Sequence, residues 1–177
     1  MSDLLAKPLS IPIPNLVLGL VDSREAAAMS GLDLLRAIVA QDLPAPPMAG
    51  IMQQWIHEVK EGFVVFLGNP DQRYLNPMGI VHGGWAMTLL DSALGCAVHT
   101  TLGPGSTYAS LGTEIKFVRP VLSNAAQVRC IAEVQSRGKS IATAVGRIAD
   151  SMGRLLATGT STCFIRPAAV QAMQEEP

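Results

Sequence analysis

His82-Gly83-Gly84, set at the mouth of an apolar stretch, and the carboxylate of Asp91 are the residues of this sequence best suited to chemistry. Paired glycines at a helix start let a ligand approach the backbone without side-chain obstruction. The first N–H groups of a helix have no intrahelical partner, and the helix dipole adds positive potential there. Such a start can bind an anion or stabilise the oxyanion that forms when a carbonyl is attacked. A glycine pair alone more often marks a tight loop-to-helix turn, so the case rests on the residues that accompany it.

Asp91 is the first of these. It lies among Leu89, Leu90, Ala93 and Leu94, where an ionised carboxylate is costly to bury unpaired. It is too far along to cap the helix. On a helical wheel Gly84, Thr88, Asp91, Ser92 and Gly95 form the one polar stripe. A core aspartate bonded to a neighbouring strand is the plainer reading, but a carboxylate in an apolar cleft more often acts as nucleophile or base. Gly83 and Asp91 are eight residues apart, or about 12 Å along a helix. That is too far for both to act on one carbonyl within one chain. If both are catalytic, Asp91 works on a substrate held at Gly83 of a neighbouring subunit, which predicts a symmetric dimer with sites across its interface. His82 joins the chemistry, orients the loop or caps the helix. Asn76 holds a water or the loop itself, and His57 and His99, without partner motifs, read as structural.

The elements that must position these residues follow from periodicity. Residues 1–30 are proline-punctuated and aperiodic, a poorly ordered or loosely docked arm, and residues 31–177 read as one domain. Ser30 and Gly31 open a helix that Pro44, Pro46 and Pro47 stop. Residues 55–67 suggest one or two strands. Residues 84–99 are apolar nearly all round, the mark of a buried helix. Residues 108–118, 128–135, 141–148 and 155–165 read as strands joined by tight turns, an antiparallel meander. One long buried helix against a curved antiparallel sheet is an α+β layer architecture.

Composition narrows the function. Hydrophobic residues make up 49% and charged residues 15%, which leaves little polar surface for a monomer and favours an oligomer. The net charge of -1 and the lack of basic runs argue against nucleic acid. Cys96, Cys130 and Cys163 are odd in number and set among apolar residues, which suits free buried thiols better than disulfides or a metal site. Pro8, Pro12 and Pro14 break the apolar stretch over residues 4–20, so neither a signal peptide nor a membrane span is expected, and a cytoplasmic location follows.

Asn76-x-x-Gly79-x-x-His82-Gly83-Gly84, with Asp91 nine residues past the histidine, resembles the signature of hot-dog-fold acyl-CoA thioesterases of the phenylacetate-degradation (PaaI-like) type. Phe117-Val118-Arg119-Pro120, the Arg137-Gly138-Lys139 turn and the run from Asp150 to Arg154 are similar to that family too, and the resemblance spans roughly residues 30–166. It implies a hot-dog fold, a long central helix wrapped by a curved antiparallel sheet. It further implies a metal-independent hydrolase that releases a free acid and coenzyme A from an aromatic or short-to-medium-chain acyl thioester. Coenzyme A is then part of the substrate, and no other cofactor is needed.

By that resemblance the Gly83 amide polarises the thioester carbonyl beside Gly84. Asp91 from the opposing subunit acts as nucleophile or general base, Asn76 positions the water or thioester, and His82 supports the loop. A Ser or Thr on the following strand assists the water; counting back from Pro120 gives Ser110, with Thr107 as the neighbour a loop shift would substitute. Arg137 and Lys139, with the Gly138 backbone, either bind the coenzyme A phosphates or form a solvated turn. The family pattern implies dimers, often paired into homotetramers. Trp85, next to the glycines, is expected to reshape the acyl channel, and residues 1–30 have no counterpart in the pattern. The alternative is an acyl-CoA-binding hot-dog module without catalysis. A hydratase on the same scaffold ranks lower, because the His–Asp spacing is wrong for it.

Overall fold

A helix apolar on nearly every side has to be enclosed, and this dictates the architecture. In the computed structural model, which describes residues 12, 14–123 and 126–168, a six-stranded sheet surrounds the central helix α4 (Gly83–His99). Leu89, Leu90, Ala93, Leu94, Ala97 and Val98 of α4 have no exposed surface. Burying a leucine of this kind contributes roughly 1.5–3 kcal/mol, so α4 and the sheet stabilise one another. No described helix is long and apolar enough to cross a membrane.

The strands are β1 (Gln54–Lys60), β2 (Phe63–Gly68), β3 (Thr107–Phe117), β4 (Val128–Arg137), β5 (Ile141–Ala149) and β6 (Leu155–Arg166). All neighbours are antiparallel, in the order β1-β2-β4-β5-β6-β3. The fold is thus α+β with the expected strands. The plain meander is corrected in one respect. The chain leaves β2 for α4, lays β3 at the far edge, and returns to pair β4 with β2. Gly146 and Gly159 face each other across β5 and β6. A Cβ on either would come within 3.2–3.3 Å of Leu90, so missing side chains let the sheet close tightly on the helix.

Before the sheet come three short helices. Asp22 caps α1 (Ser23–Ala28), accepting the N–H groups of Arg24 and Glu25. Ser30 caps α2 (Gly31–Ala40) and accepts from the Asp33 N–H at 3.1 Å. Pro47 occupies the first turn of α3 (Pro47–Met52). The prolines expected only to stop a helix therefore also start one, because N1 needs no N–H donor. The arm is docked where it is described. Leu18 bridges to Ala45, and the Ala45 N–H donates to the Val17 carbonyl at 2.8 Å. Residues 1–11 and 13, also assigned to the arm, lie outside the described residues.

Candidate active site

The loop before α4 is built by Asn76. Its side-chain oxygen accepts the N–H groups of Met78 at 3.0 Å and Ile80 at 3.2 Å, and Gly79 takes the left-handed turn at φ 76°. Asn76 thus supports the loop, one of the two roles open to it. His82 is the N-cap of α4: its Nδ1 accepts the Gly84 N–H at 2.9 Å. That leaves Gly83 as the helix-start residue whose N–H has no partner among the described residues, as its first-turn position requires. The amide borders an open depression of about 390 Å³ lined by Val81, Ala86 and residues 117–121.

Asp91 is exposed in the protomer rather than buried, which corrects the expectation of a desolvated carboxylate. The polar stripe of α4 lies against the outer strand β3, and a lone edge strand covers it incompletely. The Thr113 hydroxyl donates to Asp91 Oδ1 at 2.7 Å and lies 3.2 Å from the Ser161 hydroxyl. One carboxylate oxygen is therefore held by a neighbouring strand. Asp91 and Ser92 open on a cavity of about 410 Å³, which Ser110, Tyr108 and Cys96 also line. Burial, with the Asp91 charge nearby, pushes the Cys96 thiol up to about 12. Burial also raises the Tyr108 phenol well above its usual range.

Thr113 was missed, and the reason is geometric. Tyr108 and Ile115 both pack on the core, yet they are an odd number of residues apart. A regular strand cannot turn both inward. A bulge between Ser110 and Gly112 resolves this by shifting the phase of β3. The odd spacing of two core-type residues was the available signal. Ser110 remains at the cavity, three residues before the hydroxyl that reaches Asp91.

Two other expectations concern neighbours of the site. Trp85 does not enter the Asp91 cavity. It is 2% exposed, stacks on Tyr74 with ring centroids 5.9 Å apart, and donates its indole N–H to the Met52 carbonyl at 2.9 Å. Arg137 and Lys139 are exposed at the β4–β5 turn, away from the cavity lining. The Gly138 N–H there donates to the Ile141 carbonyl at 2.8 Å and so is committed to the hairpin. The His99 ring packs against Tyr108 at a tilt of 49°, centroids 5.4 Å apart, and burial lowers its pKa. His57, also expected to be structural, lines the cavity. No group of three or more His, Cys, Asp or Glu side chains suited to a metal occurs among the described residues.

With the site's geometry in hand, comparison with known proteins is informative. Residues 78–157, which contain Gly83, Asp91 and Thr113, match the thioesterase superfamily. The chain has the hot-dog fold. The hot-dog protein is 29% identical to a putative thioesterase, a phenylacetic acid degradation-related protein of Ralstonia eutropha JMP134, covering 73% of this chain and 98% of that one with a TM-score of 0.67. Escherichia coli PaaI, from the phenylacetic acid degradation operon, shares the fold at 18% identity, TM-score 0.68, over 80% of this chain and 98% of its own. A Streptococcus mutans protein with acetyl-CoA bound shares it at 18% identity, TM-score 0.59, over 64% and 88%. No curated protein matches the hot-dog protein in sequence.

Proposed function

We propose that the protein hydrolyses acyl-CoA thioesters to a free acid and coenzyme A, as a dimer whose sites combine Asp91 of one subunit with the Gly83 amide of the other. The observation that carries this reading is the Asp91 carboxylate, held through one oxygen by Thr113 and opening on a cavity beside an otherwise apolar helix. The superfamily match and the acetyl-CoA bound to a protein of the same fold support the substrate class.

The dimer follows from strand geometry. β3 is an edge strand with Leu111 and Phe117 exposed, a surface that pairs readily with another strand. In an antiparallel β3–β3 pairing, the Phe117 end of one strand meets the Thr107 end of the other. Gly83 sits at the Phe117 end, where a Cβ would lie 3.0 Å from that ring. The Asp91 cavity opens at Tyr108 and Ser110. Pairing therefore moves an unpartnered amide toward a carboxylate that its own chain cannot reach.

In the reaction the thioester carbonyl oxygen lies at the partner subunit's Gly83 amide. Asp91 either takes a proton from the attacking water or attacks the carbonyl carbon itself, in which case water then opens the resulting mixed anhydride, releasing the acid and regenerating the Asp91 carboxylate. In both routes the carbon–sulfur bond breaks, the negative charge passes through the amide-held oxyanion, and the coenzyme A thiolate takes up a proton. Ser110, in the cavity lining, would contact the water or acyl carbonyl, and Arg137 and Lys139 would offer charges for the coenzyme A phosphates. Free-thiol release from aryl- and alkyl-CoA thioesters tests the reading. Asp91→Asn keeps the shape and the Thr113 contact, and it should lower kcat by roughly 10²–10⁴ with KM nearly unchanged. A folded wild type silent across the panel would refute hydrolysis and favour the binding module.

A further inference from the structure

The cavity beside Asp91 is closed on one side by a segment that the chemistry does not use. Pro12, Pro14 and Leu16 of the N-terminal arm line it, opposite Leu35, Ile38 and Val39 of α2 and Met48 and Ala49 of α3. Resting on the catalytic reading above, we propose that this arm is the wall of the acyl subsite, and that it selects neutral, apolar acyl groups by length.

Three observations converge on this. The arm runs extended, so alternate side chains turn to opposite sides. Pro14 and Leu16 are half-buried toward the cavity, while Asn15 and Val17 are exposed. Docking is specific: besides the Ala45 N–H to Val17 bond, the Gly19 N–H donates to the Ala45 carbonyl at 2.9 Å. Leu18 packs so closely on α3 that a Cβ on Gly50 would lie 2.5 Å from its Cδ1. Finally, among the described residues the lining contains aliphatic and proline side chains with Trp55 and Phe66, and polar groups such as His57, Ser92, Ser110 and Asp91, but no Lys or Arg. A second carboxylate at the far end of an acyl chain would find no Lys or Arg among these residues, and burying it unpaired is costly.

The volume, about 410 Å³, lies toward the small end of ligand pockets, so length discrimination is expected. About a quarter of this chain falls outside its overlap with the R. eutropha protein, which is itself matched almost entirely. Extra chain is thus available here to supply a wall.

The test uses the full chain and two substitutions with opposite effects. For the wild type, kcat/KM should rise about three- to fourfold per methylene of a saturated acyl-CoA series, the equivalent of about 0.8 kcal/mol, and then fall at a defined length. Leu16→Trp should move that cut-off to shorter chains, Leu16→Ala should move it to longer ones, and Leu20→Ala, 84% exposed outside the cavity, should leave it in place. Glutaryl-CoA should be a poor substrate for all of them. Calorimetric titration with non-hydrolysable S-alkyl-CoA thioethers gives the same profile without turnover. Length preferences that shift oppositely in the two Leu16 variants, by either readout, support the arm as the wall, even if hydrolysis itself is absent and the catalytic reading falls. Normal hydrolysis with an unchanged profile in both variants, or no thioether binding by the wild type, overturns it.

Discussion

The two halves of the proposed site differ in what would supply their chemistry. At Gly83 the proposed donor is a backbone N–H, left without a partner because a helix must begin somewhere, with His82 already occupied by the Gly84 N–H. At Asp91 it is a side chain, aimed by a hydroxyl from a strand 22 residues away. The first is an open depression and the second a cavity roofed by the arm. The contrast teaches that the amide half is set by local structure and should tolerate distant change, whereas the carboxylate half depends on tertiary packing and on the phase of β3.

The sharpest way to break the comparison is to remove the amide alone. Gly83→Pro deletes that N–H at N1, a position where proline is compatible with a helix, and the His82 backbone at ψ 137° is already extended as a pre-proline residue requires. kcat should fall on the order of 10²-fold or more, with a modest loss of thermal stability because the proline Cβ displaces the exposed Phe117 ring that would lie 3.0 Å away. A variant that stays fully active would show that the oxyanion is stabilised elsewhere.

Aiming the carboxylate is worth less than supplying it. Thr113→Val removes the bond to Asp91 while nearly keeping the shape, and kcat should fall roughly tenfold, in line with a hydrogen bond to a charged group. If loss of Thr113 matched loss of Asp91, the hydroxyl would belong to the reacting groups rather than to positioning. Smaller still is the effect that tests whether the halves belong to different chains. Inactive Gly83→Pro and Asp91→Asn proteins, unfolded together and refolded at equal amounts, should regain about a quarter of wild-type activity, because half the dimers are mixed and each has one intact site. No recovery despite demonstrated subunit mixing would place both groups in one chain's site.

The smallest expected effect concerns the cavity wall. Cys96 has its thiol raised from 9.0 to about 12 by burial first and by Asp91 second. The folded protein thus holds this proton more tightly than the unfolded chain. The resulting stabilisation is complete below about pH 9 and is lost as pH rises toward 12. Denaturant midpoints between pH 8 and 11 should fall less steeply for Cys96→Ala than for wild type, and the wild-type thiol should react slowly with alkylating reagents near neutrality.

Much of this was legible because it is local. The α4 boundary, its all-round apolarity, the capping at Ser30 and the strand segments each follow from spacing within a few residues. The role of Asn76 was left between water and loop until two backbone N–H bonds were seen to fall on its one oxygen. The exposure of Asp91 was misjudged, since its sequence neighbours are apolar and only the edge position of β3 uncovers its face. α3 was hidden by reading its prolines as stops alone.

Sequence alone fixed the helix start with its free amide and the carboxylate eight residues on, about 12 Å away because helical rise is set by backbone geometry; the proposed two-chain site follows only if both groups are catalytic. Tertiary structure decided which hydroxyl meets Asp91 and what surrounds it. A bulge in β3 resets the inward phase and brings Thr113 rather than Ser110 to the carboxylate. A pair of backbone hydrogen bonds between the arm and Ala45 carries Leu16 to the cavity. Both are contacts between segments far apart in the chain, which no short-range pattern encodes.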